Sequence, residues 1–96
     1  MYARLVTLTL EPGNLATAEK LADQAASVIR ALEGFKNVTF FGNDATGEYG
    51  SLSLWESEDD AKAVGKVTEL HIREAVSDIL KEQPTVRIFK VYEPRV

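Results

Sequence analysis

Three features of the sequence predict one α+β domain, over residues 1–96, with the element order β-α-β-β-α-β. Four segments have the alternation or the β-branched and aromatic content of strands, and two segments have apolar residues at helical spacing. Turn residues separate all six, and 96 residues suffice for one modest core. This order is typical of the ferredoxin-like fold, in which right-handed crossovers place both helices on one face of a four-stranded antiparallel sheet.

The first strand is predicted over Tyr2–Leu10, where the side chains alternate between two faces. One face carries Tyr2, Arg4, Val6, Leu8 and Leu10. The residues Glu11-Pro12-Gly13 end the strand, and a helix is expected from an Asn14 N-cap to about Glu33. Gly34 follows at the position where a left-handed residue commonly closes a helix.

The second and third strands are predicted over residues 35–42 and 48–55, joined by a turn at residues 43–47. A turn of this length favours an antiparallel hairpin. On the third strand, four side chains are expected to share one face: Tyr49, Ser51, Ser53 and Trp55.

A second helix is predicted to begin at a Ser57 N-cap, with Asp60 in the position of a capping-box acid. The acidic residues at 56 and 58–60 could be mistaken for a metal cluster. Those in the first turn are better explained as favourable partners of the positive end of the helix dipole. Gly65 is expected to kink or split this helix, and Gln83-Pro84 to stop it. The last strand is then expected over Thr85–Tyr92, before a short tail.

Composition excludes several functions. The net charge is −4 and the eleven basic residues are scattered, which argues against nucleic acid and anionic membranes as partners. No run approaches the roughly 18 apolar residues of a membrane span. With no Cys and one His, disulfides, thiolate catalysis and a transition-metal site are not expected. The lack of Cys also fits a cytoplasmic location.

The sheet face away from the helices is predicted to carry large apolar side chains. An exposed apolar patch of that kind marks an interaction surface. Pairing of two copies through their sheets is the simplest way to cover it, so a homodimer is expected.

The segment at residues 54–61, Leu-Trp-Glu-Ser-Glu-Asp-Asp-Ala, and the element order together resemble the dimeric α/β-barrel superfamily. The resemblance is to its antibiotic-biosynthesis monooxygenase-like domains. It implies a barrel formed across a dimer, with a ligand cavity between each sheet and its own helices. Known members include cofactor-independent, quinone-forming monooxygenases and haem-degrading enzymes. The haem-degrading branch has an Asn on strand one, where this chain has Thr7 and Thr9, so haem degradation is not expected.

The resulting hypothesis is a monooxygenase-like enzyme that oxidises a hydrophobic or phenolic compound without a cofactor. The only His, His71, is the acid/base candidate, and Trp55 and Tyr49 are expected to shape a pocket. Ser51 and Ser53 would hydrogen-bond a phenol or quinone oxygen. Each candidate also has a purely structural explanation: core packing for the Trp, a backbone-bonded His, and a solvated strand face for the hydroxyls.

Two further points stay open in the sequence. Arg4 and Arg87 would either bind a ligand carboxylate or pair with acids at the surface, and surface pairing is expected. The alternative function is a non-catalytic dimeric protein that binds a small ligand or serves as an accessory or stress protein.

Overall fold

The computed structural model describes residues 1–93, so the last three residues of the predicted domain and tail lie outside the described part. Its elements are β1 (Tyr2–Leu10), α1 (Leu15–Ile29), β2 (Phe35–Asn43), β3 (Glu48–Trp55), α2 (Glu58–Val76) and β4 (Leu80–Lys90). The strands form one antiparallel sheet in the order β2-β3-β1-β4. Side chains from both helices line a cavity over one face of the sheet, which confirms the predicted ferredoxin-like architecture.

The alternation of β1 decides which side chains meet the helices. Val6, Leu8 and Leu10 are buried on the helix side. The register pairs Tyr2 with Trp55 and Leu8 with Tyr49, so the predicted polar-aromatic face of β3 also points towards the helices. The strand pairing therefore carries hydroxyl groups into the space between sheet and helices.

The first helix departs from the prediction at both ends. The Asn14 side chain caps no helix amide; instead its Nδ2 donates to the carbonyl of Glu11 at 2.7 Å. The helix ends at Ile29 rather than near Glu33. The chain turns after α1 because the Gly34 carbonyl accepts a hydrogen bond from Glu56 N–H at 2.8 Å, just beyond the end of β3. Gly34 makes this turn with a left-handed φ of 81°.

The second helix begins as predicted, because the Ser57 hydroxyl accepts from the Asp60 amide at 3.1 Å. Gly65 does not break it: α2 is continuous over 19 residues. A glycine inside a helix costs roughly 1 kcal/mol of stability relative to Ala, and the other residues of α2 are sufficient to keep the helix intact around Gly65.

The last strand begins at Leu80, five residues earlier than expected, and it includes Pro84. A proline is tolerated there because β4 lies at the edge of the sheet and its pairing with β1 shifts register between Thr7 and Thr9. The bulge removes the need for a backbone donor at this position. The helix stops earlier because Ile79 N–H turns back to the Val76 carbonyl at 3.0 Å.

The buried core consists of two clusters under the helices. The first joins Ile29, Trp55, Ala61 and Val64, and the second joins Leu8, Leu10 and Val76. The cavity described below is lined by members of both clusters. On the opposite face of the sheet, three large side chains remain more than 40% exposed: Phe41, Leu52 and Phe89.

Candidate functional site

A cavity of about 270 Å³ lies between the helix-facing side of the sheet and the two helices. Its volume is close to the lower end of the range of small-molecule sites, which starts at about 300 Å³. Most of its wall is apolar and includes Val6, Leu8, Ala18, Ala22, Val64 and Ile72. The small side chains of α1 leave space above the strands, so a flat apolar molecule would fit this site.

One end of the cavity carries a phenol and a carboxylate. Tyr49, on β3, donates its hydroxyl to Asp44 Oδ1 at 3.0 Å, and Glu19 from α1 lines the same cavity. Loss of hydration raises the pKa of Tyr49, and the hydrogen bond to Asp44 and the charges of Asp44 and Glu19 act in the same direction. The phenol therefore stays neutral and keeps its proton.

The middle and the far end of the cavity contain hydroxyl groups. Ser51 and Ser53 line it from β3, and Thr68 lines it from α2. The Thr68 hydroxyl donates to the Val64 carbonyl at 3.0 Å, and the Ser53 hydroxyl donates to the Arg4 carbonyl at 3.4 Å. The two serines are thus where the sequence placed them, on the pocket side of the third strand.

Trp55 lies behind the cavity and is not part of its lining. Its side chain is 0% exposed, and its ring packs edge-on against Phe35 with centroids 5.7 Å apart. The indole Nε1–H donates to Ser53 Oγ at 2.8 Å. The core-packing explanation of this residue is therefore correct, and its link to the cavity is indirect, through a serine that it holds in place.

His71 is not on the cavity wall, and the expectation that it would lie there is wrong. It is exposed, and its Nε2 lies 2.9 Å from Gln24 Oε1 on the neighbouring helix. The inward positions of α2 are Thr68 and Ile72, both of which line the cavity. A residue next to Ile72 is rotated by about 100° around the helix axis, which carries the imidazole out of the cavity. Its surroundings give no support to a role in catalysis.

Arg4 is buried beside the cavity, although the sequence predicted surface pairing for it. It is 7% exposed, it lines the cavity, and it also lines a second cavity of about 480 Å³ between α2 and β4. Within residues 1–93, no side-chain hydrogen bond or ion pair reaches its guanidinium. Burial lowers the pKa of Arg4, and the negative charge of Glu69 opposes that shift. The signal was present in the alternation of the first strand, which puts this arginine on the apolar face.

Residues 1–93 contain neither a metal-site cluster nor a membrane-spanning helix. No group of three or more His, Cys, Asp or Glu side chains in this part of the chain has the arrangement of a metal site. No helix there has both the length and the apolar content needed to cross a membrane.

The sequence model of one protein family, described as antibiotic biosynthesis monooxygenase, matches residues 1–66. That segment covers more than half of the chain and includes the strands and the first helix that form most of the cavity. The chain belongs to the antibiotic biosynthesis monooxygenase family. No curated protein is matched by the sequence itself.

Solved structures agree with this family assignment at the level of the fold. A Nitrosomonas europaea protein assigned to the same family superposes with a TM-score of 0.80 at 14% identity, over 97% of this chain and 91% of its own. Rv0793 from Mycobacterium tuberculosis gives 0.78 at 16% identity, over 99% and 98%. A Streptomyces coelicolor monooxygenase in complex with nanaomycin D gives 0.72 at 21% identity, over 99% and 90%. At these identities the antibiotic biosynthesis monooxygenase fold is what the likeness shows.

Proposed function

We propose that this protein oxidises a small, flat phenolic compound with dioxygen, without a cofactor, in the cavity between the sheet and the helices. The observation that carries the proposal is a largely apolar cavity with hydroxyl and charged groups at its ends, in a member of a monooxygenase family. The homodimeric assembly and the cytoplasmic location are parts of the same proposal. Related structures include a monooxygenase solved with nanaomycin D.

The reaction needs no external reductant. A phenol with a free para position consumes one dioxygen, keeps one oxygen atom as a new quinone carbonyl and releases the other in water. The phenolic hydrogen and the para hydrogen leave in that water, and the ring supplies all four electrons. The protein has to bind the substrate, exclude bulk water and accept the phenolic proton, because the phenolate gives up electrons more readily than the phenol.

Glu19 is our candidate for the proton acceptor. It is the one carboxylate among the described residues that line the cavity, and it acts on Tyr49 at the same end. The neutral Tyr49 hydroxyl is already engaged with Asp44, so it positions and does not deprotonate. A general base in such a position typically accelerates proton transfer by about 100-fold or more.

The test is dioxygen uptake with a panel of naphthols and other fused-ring phenols. Product is analysed by mass spectrometry after turnover with isotope-labelled dioxygen, and one labelled atom per quinone is expected. Glu19→Gln should lower kcat by about 100-fold. His71→Ala is the matched control and should turn over at the wild-type rate, since its imidazole lies outside the cavity.

Each alternative gives a distinct result. Binding of the naphthols without any uptake of dioxygen would support the non-catalytic ligand-binding function and overturn the enzyme proposal. Loss of activity in His71→Ala, with Glu19→Gln unaffected, would show that the proton acceptor is misassigned. Incorporation of no labelled oxygen would indicate an oxidase that makes peroxide.

The proposed dimer forms through the open face of the sheet. Phe41, Leu52 and Phe89 are 46%, 41% and 41% exposed on this face, each on a different strand. Flat apolar surface of this kind is rarely left in water. A second copy covers it with the same residues, as a two-fold interface requires.

Light scattering coupled to size exclusion tests the dimer. Leu52→Lys should give a monomer, because it places a charge at the centre of the proposed interface. Leu70→Lys is the matched control: this leucine is 65% exposed on α2, on the helix side of the sheet, and its replacement should leave the dimer intact. A wild-type monomer at micromolar concentration would refute the assembly.

A further inference from the structure

We propose that Arg4 is the anion-binding group of the cavity, and that the natural ligand is a flat apolar molecule that bears a carboxylate. This inference deepens the proposed function, because it specifies the substrate class for the same cavity. It concerns binding alone, and it can therefore be tested without turnover.

The buried position of Arg4 costs free energy as long as its guanidinium has no counter-charge. A charged residue that is only 7% exposed and whose side chain lacks a partner within residues 1–93 destabilises the folded chain. Buried charges are normally paired, so an unpaired one implies a counter-charge that arrives from outside. An arginine remains protonated at neutral pH, and its planar fork matches the two oxygens of a carboxylate.

The guanidinium of Arg4 remains accessible from the two cavities. None of its nitrogen atoms is both fully enclosed and unbonded, so the atoms without partners retain some accessible surface. Arg4 lines both cavities, and these are the openings through which a ligand would reach it. Arg4 Nη2 lies near Gly65 of α2, 3.6 Å from the position that an added Cβ would take.

The charges around the site do not neutralise it. Glu69 is the acid whose charge acts on Arg4, but its carboxylate is bound to Arg73 at 2.8 Å, and both side chains are more than 60% exposed. The protein as a whole carries a net charge of −4, which disfavours non-specific binding of anions. Among the described residues that line the first cavity, Arg4 is the one basic residue, and the one acidic residue, Glu19, lies at the Tyr49 end. A preference of this cavity for an anionic ligand would therefore originate at Arg4.

The distance between the polar ends of the cavity limits the ligand. Arg4 is paired with Ser53, and Tyr49 is paired with Leu8, four residues farther along the same strand. Four residues of a strand span about 13 Å. A molecule of two fused rings would place its carboxylate at Arg4 and its phenol towards Tyr49 and Glu19.

Isothermal titration of the full-length protein with 2-naphthoate and 2-naphthamide tests the inference. The two compounds share shape and area, and they differ in the negative charge. We expect the wild type to bind the carboxylate at least tenfold more tightly than the amide, about 1.4 kcal/mol. Arg4→Met should bind both equally, whereas Arg4→Lys should keep a reduced preference because it keeps the charge.

Arg87→Met is the matched control for charge. This arginine is exposed on the opposite face of the sheet, 4.9 Å from the centre of the Phe89 ring, and its loss should not change the preference. Arg4→Met should melt no lower than the wild type, because it removes an unpaired buried charge and keeps the length of the side chain. The side-chain Nε–H signal of Arg4 in NMR spectra of the wild type should shift with naphthoate and not with naphthamide.

Three results would overturn the inference. The first is that the wild type binds both probes equally or binds neither. The second is that the preference for the carboxylate survives in Arg4→Met. The third is that naphthoate shifts only the NMR signals of other arginines. A preference that disappears in Arg4→Met while no phenol is oxidised would uphold the anion site and refute the proposed reaction. A preference that survives in Arg4→Met while naphthols are still oxidised would uphold the reaction and refute the anion site.

Discussion

The bond between Trp55 and Ser53 offers the most direct test of how the site is built. The indole Nε1–H has the Ser53 hydroxyl as its acceptor at 2.8 Å, and the indole is completely buried. Ser53→Ala removes that acceptor and leaves the donor without a partner in a place that water does not reach. The replacement changes little volume, so the effect isolates the hydrogen bond.

The size of the effect follows from the burial. Leaving a buried neutral donor unsatisfied costs about 1–3 kcal/mol. Ser53 is 3% exposed and also donates to the Arg4 carbonyl at 3.4 Å, a long bond that adds little. We therefore expect a loss of about 2 kcal/mol. For a domain of this size that is a fall in Tm of about 8–16 °C.

A double-mutant cycle separates the bond from other changes. Trp55→Phe removes the donor together with part of the ring, and it loses packing against Phe35 and Ala61. In the Trp55→Phe background, Ser53→Ala no longer strands a donor and should cost less than 0.5 kcal/mol, roughly the level expected of independent sites. Urea unfolding followed by circular dichroism gives all four free energies, since the fluorescence of the only Trp is lost in two of the variants.

A coupling energy below about 0.5 kcal/mol would refute this reasoning, because residues in one hydrogen-bonded pair should be coupled by more than that. An unchanged Tm for Ser53→Ala would do the same. An unchanged Tm would mean that water from the cavity reaches the indole N–H and replaces the lost acceptor, so that the core around Trp55 is not sealed from the cavity.

Three further predictions follow from the backbone and the charges. Gly47→Ala should cost about 3 kcal/mol, because this glycine has φ of 78° and an added Cβ would overlap the carbonyl oxygen of Leu10. Gly65→Ala should stabilise the protein by about 0.5–1 kcal/mol, since it lies in a continuous helix with room for a methyl group. Asp44→Asn should lower the pKa of Tyr49 towards its ordinary value of 10.0, as followed by ultraviolet titration.

The controls for these predictions use neighbouring features of the same chain. Gly13 has φ of 91° but nothing within 4 Å of an added Cβ, so Gly13→Ala should cost less than Gly47→Ala in urea unfolding. A kink in the α2 helix of Gly65→Ala, or a fall in its Tm, would contradict the second prediction.

Folding raises the pKa of Tyr49, so the stability linked to its proton is complete below pH 10.0 and declines as pH rises through the folded pKa. Asp44→Asn should reduce this decline, and an unchanged alkaline profile would refute the assignment.

Element order, strand faces and the capped start of α2 could be predicted from the sequence because they depend on local patterns. Alternation in Tyr2–Leu10 and Glu48–Trp55 requires only that one face of each strand be buried, and the Ser57 cap involves residues three apart. The boundary errors came from longer-range contacts. Pro84 stays within a strand because that strand is at the edge of the sheet, and its position in the sheet is invisible in the sequence.

The sequence by itself determined the ferredoxin-like architecture and the polar face of the third strand, because period-two and helical patterns record which side of each element is buried. Only the tertiary structure decided the contents of the cavity. The helix rotation that turns His71 outwards and the strand pairing that buries Arg4 are each set by how elements dock against one another. Docking angles depend on side chains far apart in the chain. A cation that looks like a surface residue in the sequence therefore becomes, among residues 1–93, the one buried charge beside a ligand-sized space.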